Sequence, residues 1–371
     1  MGTSVAFIGA GRVAEHHCKM LGNVDEIGIS AICDLREDRG KPLSDRVGAP
    51  WYASYREMFE RHPEIDVVTI ATPSGMHFEH AMEVIEEYGK NVIVEKPTFM
   101  TPEQMRQAVA AATAKSLRIF PVFQNRYNKA VDRVRRGIAA GELGDVRLAS
   151  VRLRWCRPQP YYDRDPWRGT WSHDGGALTN QGVHYIDLMR HLAGEIAEIN
   201  ACCATIDVDI EVEDAVVAAV KFENGALGTI EVTTAARPED FEASVSIVGS
   251  KGLTEIAGIA TNELITYSPD ETACKDASEV FPIVYGFGHR DLYRDVAKVL
   301  AGKGEFPVSY DDAMKTLVLL HSIYRSDEEG GWVDVGESMA SSRLGRPNDG
   351  VSDLYRTPRE PALSGSGKAA K

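Results

Sequence analysis

Short, unbroken apolar runs punctuate the first third of the chain. Val5-Ala6-Phe7-Ile8 is the first, and Ile27 to Cys33, Asp66 to Ala71, Asn91 to Val94 and Arg118 to Val122 follow. Strands buried on both faces have this look, because neither side of the pleat meets water. A short strand near Trp51 fits the same series. Segments with helical ends separate the runs. Ser54-Tyr55-Arg56-Glu57 has capping-box order, Met76 to Tyr88 halts at Gly89, and Thr101-Pro102-Glu103-Gln104 sets a cap, a first-turn proline and an N3 glutamine in sequence. The alternation predicts a doubly wound parallel sheet, a Rossmann-type domain over residues 1–123.

Near Gln124 the pattern changes. One helix, Lys129 to Ala140, precedes longer strands at Arg147 to Trp155, Glu198 to Ile206, Ala215 to Phe222, Ala226 to Thr233 and Ala243 to Val248. Asn224-Gly225 between two alternating runs is a hairpin signal. Strands in succession predict an α+β domain with an open antiparallel sheet over residues 124–338, so the whole is α/β with two domains. A helix around Gly182 to Leu192 is expected on one face. The other face is expected to be a homodimer or homotetramer surface, since an open apolar sheet needs cover. Residues 339–371, rich in Ser, Gly, Pro and charge without period, are expected to form a mobile tail.

Composition narrows the function classes. The 371 residues suit two domains, and 43% hydrophobic content suits packed cores. A net charge of -14, from 41 basic and 55 acidic residues, speaks against nucleic-acid or membrane binding. The six cysteines form no C-x-x-C pair, which fits neither a disulfide framework nor a zinc site. His16-His17, His184 and His191 have no carboxylate or cysteine at ligand spacing, so no metal is expected. The first apolar run enters a glycine turn and lacks a basic flank, as a buried strand would and a signal peptide would not. No apolar run is long enough for a bilayer, and the expected location is the cytoplasm.

Gly9-Ala10-Gly11-Arg12-Val13-Ala14 matches G-x-G-x-x-G/A between a strand and a helix. Gly9 allows the tight turn, Gly11 lets a pyrophosphate approach, and the helix start at Arg12 and Val13 faces the phosphates. Asp34, at the end of the second strand, suits the adenosine ribose hydroxyls and favours NAD; Arg36 and Arg39 nearby leave NADP as the lesser option. Lys96, in Glu95-Lys96-Pro97, ends the fifth strand at the carboxyl edge where ligands sit. Asn180 and His184, four apart, are expected on one helix face.

Taken together, Gly9-Ala10-Gly11, Ala71-Thr72-Pro73-Ser74 with His77, Glu95-Lys96-Pro97, Gly175-Gly176 and His184 with Asp187 resemble the Gfo/Idh/MocA oxidoreductase family over roughly residues 3–335. The resemblance implies that Lys96 and His184 are the catalytic pair. It implies that Thr72, Pro73, His77, Glu95, Gln124, Trp167 and Arg168 line the cofactor, and that the Lys96–Pro97 bond is cis. The family often has an aspartate where this chain has Asn180, which can orient a hydroxyl but carries neither charge nor proton. Within the family, Phe123 to Asn128, Tyr161-Tyr162-Asp163, Trp167-Arg168-Gly169-Thr170-Trp171 and Thr179-Asn180-Gln181-Gly182 look like the UDP-N-acetylglucosaminuronic acid 3-dehydrogenases. That branch implies oxidation at C3 of a nucleotide-linked sugar, tightly held NAD, 2-oxoglutarate as a hydride acceptor and a tetramer. A 3-ketosugar reductase on a dTDP-sugar, an inositol or free-sugar dehydrogenase, and a non-catalytic NAD(H) sensor are the alternatives.

The residues agree with an anionic, ring-bearing substrate. Arg157, Arg168, Tyr161, Tyr162 and Trp167 form a basic, aromatic-rich stretch, and guanidinium forks suit diphosphates and carboxylates. Arg152 and Arg154 fit that stretch or the outer face of a strand equally well. His289, in Gly288-His289-Arg290 before a helix, is a further candidate substrate contact.

Overall fold

The computed structural model describes residues 2–336 and 339–357. Strands β1 (Thr3–Ile8), β2 (Ile27–Cys33), β3 (Trp51–Tyr52), β4 (Val67–Ile70), β5 (Asn91–Val94) and β6 (Ile119–Pro121) form one parallel sheet in the order β3-β2-β1-β4-β5-β6. This is the doubly wound order, with its switch point between β1 and β4, where ligands bind. The continuous apolar runs are buried as expected, β4 at all four positions. Thr101 and Gln104 close a full capping box; Ser54 starts its helix without a side-chain cap bond.

The second sheet comprises β7 (Val146–Arg154), β8 (Ile196–Ala204), β9 (Ala215–Phe222), β10 (Leu227–Thr233), β11 (Glu242–Gly249), β12 (Leu253–Ala257), β13 (Glu263–Tyr267) and β14 (Val333–Asp334). Its order is β13-β12-β11-β7-β10-β9-β8-β14. It is mixed, not purely antiparallel, because β7 and β10 pair in parallel. The chain between them is long enough for the crossover that a parallel pair needs. Val151, Leu153, Val220, Ile230 and Val245 point inward and are buried. Helices Val183–Ala193 and Tyr310–Glu329 supply the cover.

Two segments cross the expected domain limits. Helix Gly288–Leu300 returns to the first domain, where Leu292, Tyr293, Val296 and Ala297 share a buried cluster with Val5, Phe7, Ala14 and Ile32. Residues 339–357 are not a loose tail. Leu344 is buried, the Ser341 hydroxyl donates to Glu328 Oε1 at 2.6 Å, and Arg356 Nε and Nη2 donate to the Glu79 carboxylate at 2.9 Å. The composition of the segment hid these anchors; residues 358–371 lie outside the described residues. Among the described residues, no helix is long and apolar enough to cross a membrane.

Candidate functional site

The β1 turn is shaped for a dinucleotide. Gly9 has φ +98°, and a Cβ there would lie 2.6 Å from the Ala71 carbonyl oxygen. Gly11 caps helix Arg12–Leu21, no side chain takes its first-turn N–H groups, and the space beside Gly11 is open. A helix N-terminus with free donors suits a pyrophosphate. Arg12 is exposed and Val13 half-buried beside this opening. Asp34 is pinned to the turn, accepting from Ala10 N at 2.7 Å and Arg36 N at 2.8 Å. The nearby arginines are already engaged: Arg36 with Asp38 at 2.6 Å and Arg39 with Asp165 at 2.5 Å.

Thr72 and Pro73 follow β4 and stay half-buried. His77, expected to line the cofactor, is instead sealed, with its ring nitrogens 2.9 Å from the Pro97 carbonyl and 3.1 Å from the Thr72 carbonyl. It ties the Thr72 loop to the Lys96–Pro97 turn, whose peptide bond is cis.

Lys96 reaches across from β5 to the second domain. Its Nζ donates to the Asn180 carbonyl oxygen at 2.7 Å and lies 3.3 Å from Asn180 Oδ1. Asn180 sits in a wide π-type turn, Leu178–Gly182, that leads into the helix carrying His184. Such turns recur at functional sites because they re-aim side chains. The Asn180 amide nitrogen donates to Asp174, a buried carboxylate that also accepts from Gly169 N at 2.7 Å. The Gln124 side-chain amide lies 3.2 Å from His184 Nε2. His184 Nδ1 and Gln124 Oε1 are buried without a partner, which points to a ligand between the domains. Burial, reinforced by the Lys96 charge, lowers the His184 pKa to about 3, so the ring is neutral. Burial also lowers the Lys96 pKa, while Glu95 and Asp174 raise it and Arg168 and Arg157 press it down.

Behind Lys96 lies a cluster that no spacing in the chain announces. Glu95 Oε1 accepts from His17 Nε2 at 2.7 Å and lies 3.5 Å from His289 Nε2. His17 Nδ1 contacts Tyr293 at 2.8 Å, and the His16 and His289 rings meet at 5.0 Å. Glu95 therefore faces this cluster and not a ligand. His289, expected at the substrate, is fully buried against His17. The carboxylate that His17 lacks in the sequence is thus supplied from β5, and His17, Glu95 and His289 are the one potential metal-ligand group found among the described residues. The 2.7 Å contact is a hydrogen bond; ligands sharing a tetrahedral ion at ~2.1 Å stand roughly 3.4 Å apart.

The substrate-side residues sort into two groups. Arg168 lies 4.3 Å from the Tyr161 ring and 4.6 Å from the Trp167 ring, and donates to the Tyr161 hydroxyl at 2.5 Å. Arg157 lies over Trp155 at 4.9 Å and pairs with Asp240 at 2.8 Å. Gln181, absent from the expected set, also donates to the Tyr161 hydroxyl, at 3.2 Å. Tyr162 turns the other way: it is buried, with its hydroxyl on Thr234 at 3.0 Å. Arg152 and Arg154 lie on the outer sheet face with Glu242, Glu255 and Glu231, away from the cleft.

A profile described as oxidoreductase family, NAD-binding Rossmann fold, matches residues 3–123, and one described as GFO/IDH/MocA C-terminal domain matches residues 131–255. The crystal structure of the WlbA dehydrogenase from Bordetella pertussis, in complex with NADH and UDP-GlcNAcA, is 33% identical with a TM-score of 0.85, over 90% of this chain and 98% of that one. Levoglucosan dehydrogenase of Pseudarthrobacter phenanthrenivorans is 26% identical over 75% of this chain and 82% of its own length. Myo-inositol 2-dehydrogenase of Thermotoga maritima is 24% identical over 88% of this chain and 96% of its own.

Proposed function

This chain belongs to the Gfo/Idh/MocA oxidoreductase family, and on that footing we propose that it oxidises the C3 hydroxyl of a nucleotide-linked sugar, UDP-N-acetylglucosaminuronic acid, to the 3-keto sugar. Membership makes it an NAD-binding dehydrogenase acting on CH–OH. The substrate rests on one observation above the others. Arg157 and Arg168, stacked among Tyr161, Trp155 and Trp167, lie close enough to Lys96 for both charges to act on it. Two guanidiniums and aromatic faces beside the reacting lysine suit a diphosphate or carboxylate carrying a ring. The likeness to a dehydrogenase solved with UDP-GlcNAcA supports the same sugar.

In this reading bound NAD supplies the hydride acceptor. Lys96 donates to the substrate oxygen and stabilises its developing charge. His184 takes the hydroxyl proton. The Gln124 amide nitrogen holds His184 Nε2 at 3.2 Å, and His184 Nδ1 has no protein partner, so one ring nitrogen is positioned and the other is open to a ligand. Asn180 orients the hydroxyl. The test is absorbance at 340 nm when NAD-loaded protein meets UDP-N-acetylglucosaminuronic acid, with and without 2-oxoglutarate as hydride acceptor. A rise without the acceptor, or a 3-keto product formed only with it, is expected. No change in either mixture moves the substrate to uncharged sugars or inositols.

The same reading makes the enzyme cytoplasmic and a homodimer or homotetramer. Leu227, Leu148, Val248 and Leu253 pair in register across four strands of the outer sheet face, and each is more than 40% exposed. A row of that kind needs cover. Light scattering at micromolar protein is expected to give at least twice the 40.7 kDa chain mass; a monomer removes this part.

A further inference from the structure

Asn180 is uncharged, yet a buried carboxylate touches it. Asp174 is 1% exposed and accepts the Asn180 amide nitrogen on Oδ1 and Gly169 N on Oδ2. Burial raises the Asp174 pKa, while the Gly169 N–H, the Asn180 amide and the charges of Arg168 and Lys96 draw it down. As a carboxylate it only accepts, so the amide presents its NH2 end to Asp174 and its oxygen away from it. That oxygen lies 3.3 Å from Lys96 Nζ. Charged groups acting on Lys96 are Glu95, Asp174, Arg168 and Arg157; those acting on Asp174 include Arg168 and Lys96. Asp174 thus has two donors on fixed partners and a cation beyond one of them.

We propose that Asp174 is a positioning residue: it fixes the Asn180 amide with its oxygen toward Lys96 and supplies, one side chain removed, negative charge that keeps Lys96 an ammonium donor. The role rests on the reading of Lys96 as the reacting cation. It gives this site a carboxylate from the turn before the helix, where the sequence reading found none four residues before His184. Asparagine at 174 would offer one carbonyl oxygen to two donors, so either Gly169 N–H or the Asn180 amide loses its acceptor.

The test uses full-length, NAD-loaded protein. Competitive acetylation with acetic anhydride across pH, read on the Lys96 peptide by mass spectrometry, titrates Lys96 without any sugar. In Asp174→Asn, Lys96 is expected to titrate at lower pH than in wild type, and turnover on an accepted sugar to fall about tenfold or more with NAD affinity unchanged. The exchanged pair Asp174→Asn with Asn180→Asp keeps one amide and one carboxylate in the same volume. It should return the Lys96 titration to the wild-type pH or above. An unchanged Lys96 titration in Asp174→Asn, whatever happens to turnover, overturns the proposal. If the single variant does not fold, a folded exchanged pair in which Lys96 titrates below wild type overturns it equally. Failure to turn over the UDP-sugar bears on the substrate alone, because the acetylation readout is independent of it.

Discussion

At Gly176 the absence of a side chain is imposed by a residue far along the chain. A Cβ there would lie 1.9 Å from Glu213 Oε2, at φ +79°. Burial raises the Glu213 pKa to about 8, so at neutral pH it is a carboxylic acid, wedged under the turn by Leu178 N and the Tyr324 hydroxyl. Gly176→Ala must strain the left-handed backbone and displace a hydrogen-bonded buried group. It is expected to cost about 2 kcal/mol or more, read as a fall in midpoint in chemical denaturation. The proposed reacting pair, Lys96 and His184, makes a different prediction. Lys96→Met and His184→Asn should each lower kcat roughly 100-fold or more while NADH affinity by fluorescence titration stays within about threefold. Loss of NAD binding in both would remove the assignment. Gly175-Gly176, Lys96 and His184 could be singled out as candidates because each stands in a local motif. Glu213, Asp174 and Gln181 could not, because their contacts exist only once the loop before β9, the Gly175-Gly176 turn and the π-type segment meet.

At the scale of elements, the helix that carries His184 is held by charge as well as by its apolar side. Asp187, 1% exposed, accepts from Arg126 Nε at 2.7 Å and Nη2 at 2.6 Å and from Thr316 at 2.8 Å. Arg126 also pairs with Asp312, which engages Arg190 on the same helix. This network locks the helix to the turn at Gln124, and so sets the distance between Gln124 and His184. Removing the Asp187 carboxylate leaves the buried Arg126 guanidinium with Asp312 as its one remaining carboxylate. Asp187→Asn is therefore expected to destabilise by about 3 kcal/mol, seen in urea unfolding as a lower midpoint with an unchanged slope. The Rossmann strands were readable because burial on both faces leaves continuous apolar runs. Strands β12 and β13, five residues each, are too short for alternation to register. The same limit applied to parallel pairing: β7 and β10 each alternate like any strand, and direction is set by the path between them.

For the whole molecule, buried histidines govern the response to acid. Burial lowers His16, His80, His173, His191, His289 and His321 to about 4 and His184 to about 3. Unfolded, they titrate near ~6.5. Between those values the folded protein holds fewer protons than the unfolded chain, so stability is lost as pH falls from about 6.5 toward 4. Glu213 acts in the opposite sense, holding a proton up to about 8, so its contribution is lost as pH rises. Asp174, also raised by burial, acts in the same sense as Glu213. Seven rings outweigh these two carboxyls, and calorimetry should show Tm climbing from pH 4.5 to about 6.5. A flat Tm over that range would mean the rings titrate normally. Glu213→Gln should then flatten the decline above neutrality.

The change from parallel to mixed sheet is marked in the sequence by a change of period near Gln124, but the return of helix Gly288–Leu300 is not, because its amphipathic face carries no mark of which sheet it serves. That return bears on how the protein is made. Val5, Phe7 and Ile32 leave the ribosome early, yet the face they form is closed by Leu292, Tyr293 and Val296, which are synthesised much later. The nascent Rossmann unit therefore cannot complete this cluster until most of the chain has been made, although its own first helix already contributes Ala14, Cys18 and Leu21.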